Sequence, residues 1–304
     1  FWLKAHGLMR SLAYCRKPPM DAKRVLVTGC FGSVGRVACA ALSARGHFVR
    51  GLDRSRSDDT YDRSSTPVPV PDDVVIADIV TDRSALLNAM DGIDVVVHLA
   101  AVPDDLGSFD GAMLDINIRG LFNVCDAARE CGVKRLMLTS SVQAVSGLFR
   151  TIRDRPIKVS DGTAPINHYG LTKVFAENIG QMYAAGVYAG AGGSSERPKR
   201  LNKVKMSVVI ARIGWFVRNS AESTIMSKMN HGHFLSHDDA GRFFVRVVES
   251  STPSPGKSAI VFGMSRTPEG VISPVDLTPA RDILGYEPED EWPQGIPFPA
   301  LDPS

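Results

Sequence analysis

Short apolar runs alternate with amphipathic stretches along most of the chain. Strands buried on both faces are predicted for seven runs rich in valine, isoleucine and leucine, at 24–28, 48–52, 74–77, 95–99, 135–139, 207–211 and 259–262. Helices are predicted where the period changes to that of an amphipathic helix, at 34–45, 83–90, 112–130, 169–185 and 278–284. This alternation is typical of βαβ units. The predicted fold class is therefore α/β, a doubly wound parallel sheet with a small C-terminal portion built on it.

Composition narrows the possible partners. The chain has 304 residues, 44% hydrophobic and 22% charged, with a formal net charge of +2, which is ordinary globular usage and leaves no broad positive field for nucleic acid or a membrane surface. No run of 18 apolar residues occurs, so no membrane span is predicted. The five cysteines form no CxxC pair, which indicates reduced thiols and no metal site.

A glycine-rich turn follows the first predicted strand. The segment TGCFGSVG at 28–35 spaces its glycines by three and opens a helix, so Gly29 suits a tight turn, Gly32 a close backbone approach and Gly35 helix packing. The N–H groups at this helix start would face a diphosphate. The sequence therefore predicts a dinucleotide site made by Gly29, Cys30, Phe31, Gly32, Ser33, Val34 and Gly35.

Residues after the next strands extend this predicted site. Asp53 ends the second strand, where its carboxylate can accept hydrogen bonds from both ribose hydroxyls and would repel a 2′-phosphate. NAD is therefore favoured, although Arg54 could accommodate the phosphate of NADP. The cleft is expected to be completed by Asp78, Ile79, Leu99, Ala100 and Ala101. His98 is interpreted as a packed core histidine without a chemical role.

A tyrosine and a lysine stand one helical turn apart. Tyr169 and Lys173 lie on one face of the predicted helix, where the ammonium favours the phenolate form of the tyrosine. Such a pair can take a proton from a substrate hydroxyl while hydride passes to a nicotinamide.

Taken together, these segments resemble the extended short-chain dehydrogenase/reductase superfamily, and within it the NAD-dependent epimerase/dehydratase family. The resemblance covers residues 23 to about 290 and rests on TGCFGSVG, Asp78-Ile79, HLAA (98–101), Asn117, LTSS (138–141), YGLTK (169–173), Arg212-Ile213-Gly214 and LGYEP (284–288). It implies that Ser141 is the catalytic serine, that Asn117 helps orient Lys173, and that Lys173 grips the nicotinamide ribose. It also implies cofactor contacts for Thr139, Tyr169, Lys173 and Ile213.

Among members of this family, uronate dehydrogenases look most similar, which implies oxidation of a hexuronate to a lactone. The expected substrate contacts are Ser141, Gln143 and Arg212. Arg212 is expected either to pair with a substrate carboxylate or to anchor the sheet edge or a cofactor phosphate. Val142-Gln143 departs from the Asn-His of uronate dehydrogenases, and Asp104 and Asp105 would repel an anionic sugar unless they point away.

The predicted function is that of an NAD(P)-dependent oxidoreductase acting on a sugar or sugar-acid hydroxyl, with Tyr169 as acid and base. A nucleotide-sugar epimerase and a non-catalytic NAD(P)-binding regulator are the alternatives. The predicted organisation is an N-terminal extension at 1–22, an NAD(P)-binding Rossmann domain at 23–185, and the last Rossmann strands interleaved with a small substrate-binding region at 186–304. We expect a flexible surface loop at 188–202, a cytoplasmic homodimer paired through the helices at 112–130 and 169–185, and no nucleic acid, membrane or metal partner. Organelle targeting by residues 1–19 is the alternative location.

Overall fold

The computed structural model describes residues 21–56, 71–103, 108–188, 199–200, 204–217 and 232–293. The strands are β1 (Arg24–Thr28), β2 (Phe48–Asp53), β3 (Asp73–Ile76), β4 (Val95–His98), β5 (Arg135–Ser141), β6 (Val187–Tyr188), β7 (Lys199–Arg200), β8 (Ser207–Ile213), β9 (Trp215–Phe216), β10 (Phe234–Leu235) and β11 (Ser258–Gly263). The helices are α1 (Ser33–Ala44), α2 (Arg83–Met90), α3 (Leu121–Cys131), α4 (Leu148–Thr151), α5 (His168–Ala185), α6 (His237–Glu249) and α7 (Thr278–Leu284). Residues 1–20, most of the predicted loop at 188–202, Asp104 and Asp105 lie outside the described residues.

Seven strands form one parallel sheet in the order β11-β8-β5-β4-β1-β2-β3. Every neighbouring pair in it runs parallel, from the β11 and β8 pair to the β2 and β3 pair. The sheet reverses its direction of growth between β1 and β4, and in sheets of this kind ligands bind beyond the carboxyl ends of the strands at that point. The predicted Rossmann-type fold class is confirmed, and the seven predicted strands all form, with ends that agree to within two residues.

Apolar side chains on the two faces of the sheet build two separate cores. Val25 and Val27 pack with α1, α6 and α7 on one face, whereas Leu26 between them packs with α2, α3 and α5 on the other. Alternation along a strand sends neighbouring side chains to opposite faces, so a central strand needs apolar residues at every position. The unbroken apolar runs in the sequence have this cause.

Helix α6 was not predicted from the sequence. It begins with polar residues, Ser236 to Asp239, and the Ser236 hydroxyl caps it by accepting the N–H of Asp239 at 3.0 Å. Its apolar residues include Phe243 and Phe244, which are both fully buried, and the helix contacts α1. The helix covers the same face of the sheet as α1 and closes that core.

The predicted helix at 112–130 is two consecutive elements. A π-helical segment, Phe109–Gly120, has a non-helical backbone at Gly111 and continues directly into α3. A Cβ atom at Gly120 would lie 2.7 Å from the side chain of Ile79, so the glycine lets this segment pack closely against Ile79.

No helix in the described part of the chain combines the length and apolar character that a membrane span needs.

Candidate active site

The glycine turn between β1 and α1 is built as its sequence predicts. Gly29 has a positive φ of 71°, and a Cβ atom there would lie 2.7 Å from the backbone nitrogen of Ala100. A Cβ atom at Gly35 would lie 2.0 Å from the carbonyl oxygen of Gly29, so neither position admits a side chain without a backbone shift. Gly32 differs, because its nearest neighbour is the Gly29 oxygen at 3.3 Å. The fold requires the first and third glycines, whereas the second leaves space in front of the helix.

That space opens into a cleft of about 500 Å³ at the carboxyl ends of β1, β2 and β4. The predicted cofactor residues that line it are Gly29, Phe31, Gly32, Asp53, Arg54, Asp78, Ile79, Leu99, Ala100 and Ala101. Those that do not line it are Cys30, Ser33, Val34, Gly35, Thr139, Tyr169, Lys173 and Ile213. Cys30 points instead into the core beside Gly51, and burial raises the pKa of its thiol to about 12.

Asp53 stands at the rim of this cleft. Its carboxylate accepts the backbone N–H of Phe31 at 2.9 Å and that of Arg54 at 2.8 Å, which fixes both oxygens at the end of β2. A fixed carboxylate beside a glycine-lined helix start has the donors and acceptors that a ribose and a diphosphate require. The residues present therefore fit the adenosine half of a dinucleotide.

Tyr169 and Lys173 occupy the first two turns of α5. The helix begins here because the side chain of Asn167 accepts the N–H of Gly170 at 2.7 Å. Lys173 is 5% exposed, its Nζ donates to the carbonyl oxygen of Thr139 at 3.1 Å, and it lies 5.2 Å from the centre of the Tyr169 ring. Burial lowers the pKa of Lys173 from 10.5 to about 8. A buried cation next to a phenol is the arrangement that acid and base chemistry needs.

Asn117 and His98 lie on the inner side of this pair. The amide of Asn117 accepts the N–H of Val102 at 2.8 Å and donates to the Thr172 hydroxyl at 3.2 Å, so its side chain joins the loop after β4 to α5. With Thr139 and Lys173 it lines a small cavity next to His98. His98 Nδ1 lies 2.7 Å from the Thr28 hydroxyl, and burial lowers the pKa of this histidine to about 3. It is therefore neutral at ordinary pH.

The end of β5 meets the start of α5. The Ser141 hydroxyl caps a short 3₁₀ turn by accepting the N–H of Gln143 at 3.2 Å. A Cβ atom at Gly170 would lie 2.4 Å from the carbonyl oxygen of Gln143, which shows how closely the two segments approach. Ser141, Gln143 and the first turn of α5 therefore converge at the carboxyl end of the sheet.

Arg212 departs from one of its predicted roles. Its guanidinium is 1% exposed and donates twice to Glu177, from Nε at 2.7 Å and from Nη2 at 2.8 Å. A guanidinium held in this way is not available to a substrate carboxylate, so that expectation is corrected. The contact agrees with the other expectation, that Arg212 has an anchoring role, and its partner is Glu177 on helix α5. Ile213, next in the chain, packs against the core instead of lining the cleft.

Glu177 itself was missed in the sequence. It follows Lys173 by four residues and Tyr169 by eight, so all three lie on one helix face. An acidic residue on a helix face that is otherwise buried indicates a buried partner. The sequence alone does not reveal that this partner is an arginine of β8.

The model of the NAD dependent epimerase/dehydratase family matches residues 25–190, more than half of the chain. The chain belongs to this family. Its similar relatives include an L-arabinose 1-dehydrogenase (NAD(P)(+)) of Haloferax volcanii, 28% identical over 88% of this chain and 96% of that protein. An NAD-dependent glucose-6-phosphate dehydrogenase of the same organism is 29% identical over 88% and 93%.

A uronate dehydrogenase of Pseudomonas putida is 30% identical over 53% of this chain and 55% of that protein. Among solved structures, a glucuronic acid dehydrogenase from Chromohalobacter salexigens has a TM-score of 0.66 at 24% identity, covering 89% of this chain and 86% of that one. These comparisons confirm the predicted family and fold class and the prediction of an NAD(P)-dependent enzyme.

Proposed function

We propose that this chain is an NAD(P)-dependent dehydrogenase that oxidises a hydroxyl group of a sugar or sugar acid. Relatives with such activities in their names support the proposal: the L-arabinose and glucose-6-phosphate dehydrogenases each match 88% of the chain, and a uronate dehydrogenase matches 53% of it. The observation that carries the proposal is the buried Lys173 ammonium, 5.2 Å from the Tyr169 ring and beside a glycine-lined cleft.

The chain's own residues would hold the diphosphate and the adenosine ribose of the dinucleotide. Gly32 and the N-terminal turn of α1 would receive the diphosphate, and Asp53 would accept the ribose hydroxyls, which favours NAD. Arg54 lines the same cleft and supports NADP as a second cofactor. When bound, the dinucleotide supplies the hydride acceptor.

Proton transfer would belong to α5 and the end of β5. Tyr169 would take the proton of the substrate hydroxyl, and Lys173 would stabilise the resulting phenolate charge. Ser141 and Gln143 would donate or accept hydrogen bonds at the substrate, with Ser141 on the reacting oxygen. Asn117 would hold α5 through Thr172. Arg212 is committed to Glu177, so it does not select a sugar acid over a neutral sugar. The proposal therefore includes both kinds of substrate.

A spectrophotometric panel tests this proposal. Aldoses, sugar phosphates, uronates and nucleotide sugars are offered with NAD and then NADP while the absorbance of the reduced nicotinamide is followed. We expect net reduction with at least one aldose or uronate. Tyr169→Phe should keep the Kd for NAD and lower kcat by about 10²- to 10⁴-fold. A purified chain that retains NAD and converts a nucleotide sugar without net reduction would be an epimerase, and NAD binding with no turnover of the panel would mark a binding regulator.

We further propose that the chain forms a cytoplasmic homodimer through α3 and α5. Both helices present large exposed apolar side chains, Phe122 on α3 and Leu171 and Met182 on α5. None of the described cysteines is disulfide-bonded, which agrees with a reducing compartment. Light scattering of the wild type and of Phe122→Arg tests the dimer, since a charge at the interface should give a monomer.

A further inference from the structure

The carboxylate of Glu177 sits at the centre of a buried polar cluster. Its Oε1 accepts the Ser140 hydroxyl at 2.7 Å and Arg212 Nε at 2.7 Å, while its Oε2 accepts Arg212 Nη2 at 2.8 Å. The three residues are at most 2% exposed. A bidentate pair of this kind is directional as well as strong, because both donors must face both oxygens. We call Ser140, Glu177 and Arg212 the clamp.

The clamp joins the parts of the chain that carry the reacting groups. Ser140 and Arg212 are register partners on β5 and β8, and Ser140 directly precedes Ser141. Glu177 lies on the α5 face that also carries Tyr169 and Lys173. Arg212 Nη2 additionally donates at 3.3 Å to the carbonyl oxygen of Gly162, in the segment leading into α5.

Two glycines of α5 also make close contacts. Gly170 approaches the backbone of Gln143, and Gly180 approaches the side chains of Leu138 and Ile210. Such contacts set how near the helix lies to the sheet, but they form no directional bond. Directional hydrogen bonds hold the axial position of the helix: one runs from Lys173 Nζ to the Thr139 carbonyl oxygen, and the clamp adds three more, one turn further along the helix.

The clamp does not act on Lys173 through its charge. The cause of the lowered pKa of Lys173 is its burial, and neither Glu177 nor Arg212 contributes to it. A change in the clamp should therefore alter where Tyr169 and Lys173 stand, and only through that their chemistry.

We infer that the clamp is a positioning device that sets Tyr169 and Lys173 relative to Ser141, so that Glu177 and Arg212 are positioning residues of the reaction. The inference rests on the proposed function. A displacement of about 1 Å in a reacting group can cost about 100-fold in rate, which is why the axial position of α5 matters.

The test separates position from stability. In Ser140→Ala/Glu177→Leu/Arg212→Met the whole cluster becomes apolar, which removes buried charges together and is often neutral or stabilising. It also removes Arg212 Nη1, a buried donor that finds no partner among the described residues. We expect the triple variant to have a wild-type midpoint of urea unfolding and a Kd for NAD within about twofold, but a kcat at least tenfold lower. A wild-type kcat in this stable variant would overturn the inference.

Two further variants complete the design. Glu177→Asp keeps the charge but is one methylene shorter, so it should fold and still have a lower kcat. This variant tests the inference even if the triple variant does not fold. Arg135→Met is the matched control, because Arg135 is a buried arginine at the other end of β5 that donates to Ser207 and to the carbonyl oxygen of Val247. It should be less stable than the wild type with an unchanged kcat. If the loss of kcat follows the loss of unfolding free energy in the same way for Arg135→Met and Glu177→Asp, the clamp contributes only to stability and the inference is overturned.

Failure of the proposed function has a different signature. A wild type that reduces NAD with no sugar of the panel would refute the function, and the clamp is then tested without cofactor. Crystal structures of the wild type and of the triple variant then give the positions of Tyr169 and Lys173 relative to Ser141. A shift of about 1 Å or more along α5 in the triple variant supports the clamp. Unchanged positions overturn it.

Discussion

Lys173 is a buried ammonium, and its replacement by methionine has a calculable effect on stability. Burial lowers the pKa of Lys173 from 10.5 to about 8. Below pH 8 both the folded and the unfolded chain carry this proton, so folding bears the full cost of burying the charge. Between pH 8 and 10.5 the unfolded chain binds more protons than the folded chain, so the free energy of unfolding rises with pH.

The size of this rise follows from the pKa difference. At about 1.4 kcal/mol for each pKa unit, the contribution of Lys173 to the free energy of unfolding increases by about 3 kcal/mol across this window. Methionine has a similar length and no charge. Lys173→Met should therefore lack that increase, and below pH 8 it should be more stable than the wild type, with part of the gain offset by the lost hydrogen bond to Thr139.

Urea unfolding at several pH values between 7 and 10.5 measures this effect. The two curves of free energy against pH should converge as pH rises, since every other group is shared. Lys257→Met removes an exposed lysine and should run parallel to the wild type. Parallel curves for Lys173→Met and the wild type would refute the reasoning, because they would mean that Lys173 has the same pKa in the folded and unfolded chains.

Three other sites give independent predictions. Gly35→Ala should lower the free energy of unfolding by more than about 2 kcal/mol in urea, because its Cβ meets the Gly29 oxygen. Gly32→Ala should change it by less than about 1 kcal/mol but weaken NAD binding in calorimetry; equal stability losses at both glycines would contradict the assignment. Asp53→Ala should raise the Kd for NAD more than that for NADP, and equal rises would exclude a ribose contact. Asp239→Ala should cost about 2 to 4 kcal/mol of unfolding free energy, because its carboxylate accepts the N–H groups of Glu289 and Asp290; a thermal midpoint equal to the wild type would argue against this anchor.

The sheet and the glycine turn were predictable because their signals are local. The central strands each contain an unbroken apolar run, and Gly35 is dictated by its contact with the nearby Gly29 carbonyl oxygen. Gly29 is recognisable from the glycine spacing, although the contact that excludes a side chain there is with the distant Ala100. The spacing of Tyr169 and Lys173 is also local, since it needs only the helical repeat.

Features that depend on distant partners were missed. Helix α6 is an exception, because its signal is local and was overlooked: Ser236 caps it, two acidic residues follow in the first turn, and apolar residues recur at helical spacing after them. The role of Arg212 was assigned to a substrate carboxylate or to an anchor because the sequence does not say which acid it meets. Its partner, Glu177, is 35 residues away and belongs to a helix predicted for another reason. The assignment of Tyr169, Ser141 and Asn117 to catalysis stays a prediction.

The alternation of side chains along β5 has a consequence for how such a protein can diversify. Ser140 faces α5 together with Leu136 and Leu138, whereas the side chain of Ser141 points to the opposite face of the sheet. Val142 is buried in a hydrophobic cluster, whereas Gln143 is partly exposed. Substitutions at Gln143 should therefore disturb the scaffold least, while substitutions at Ser140 touch it directly. A library randomised at Gln143 should be rich in folded members with new selectivity, and one randomised at Ser140 should be poor in them.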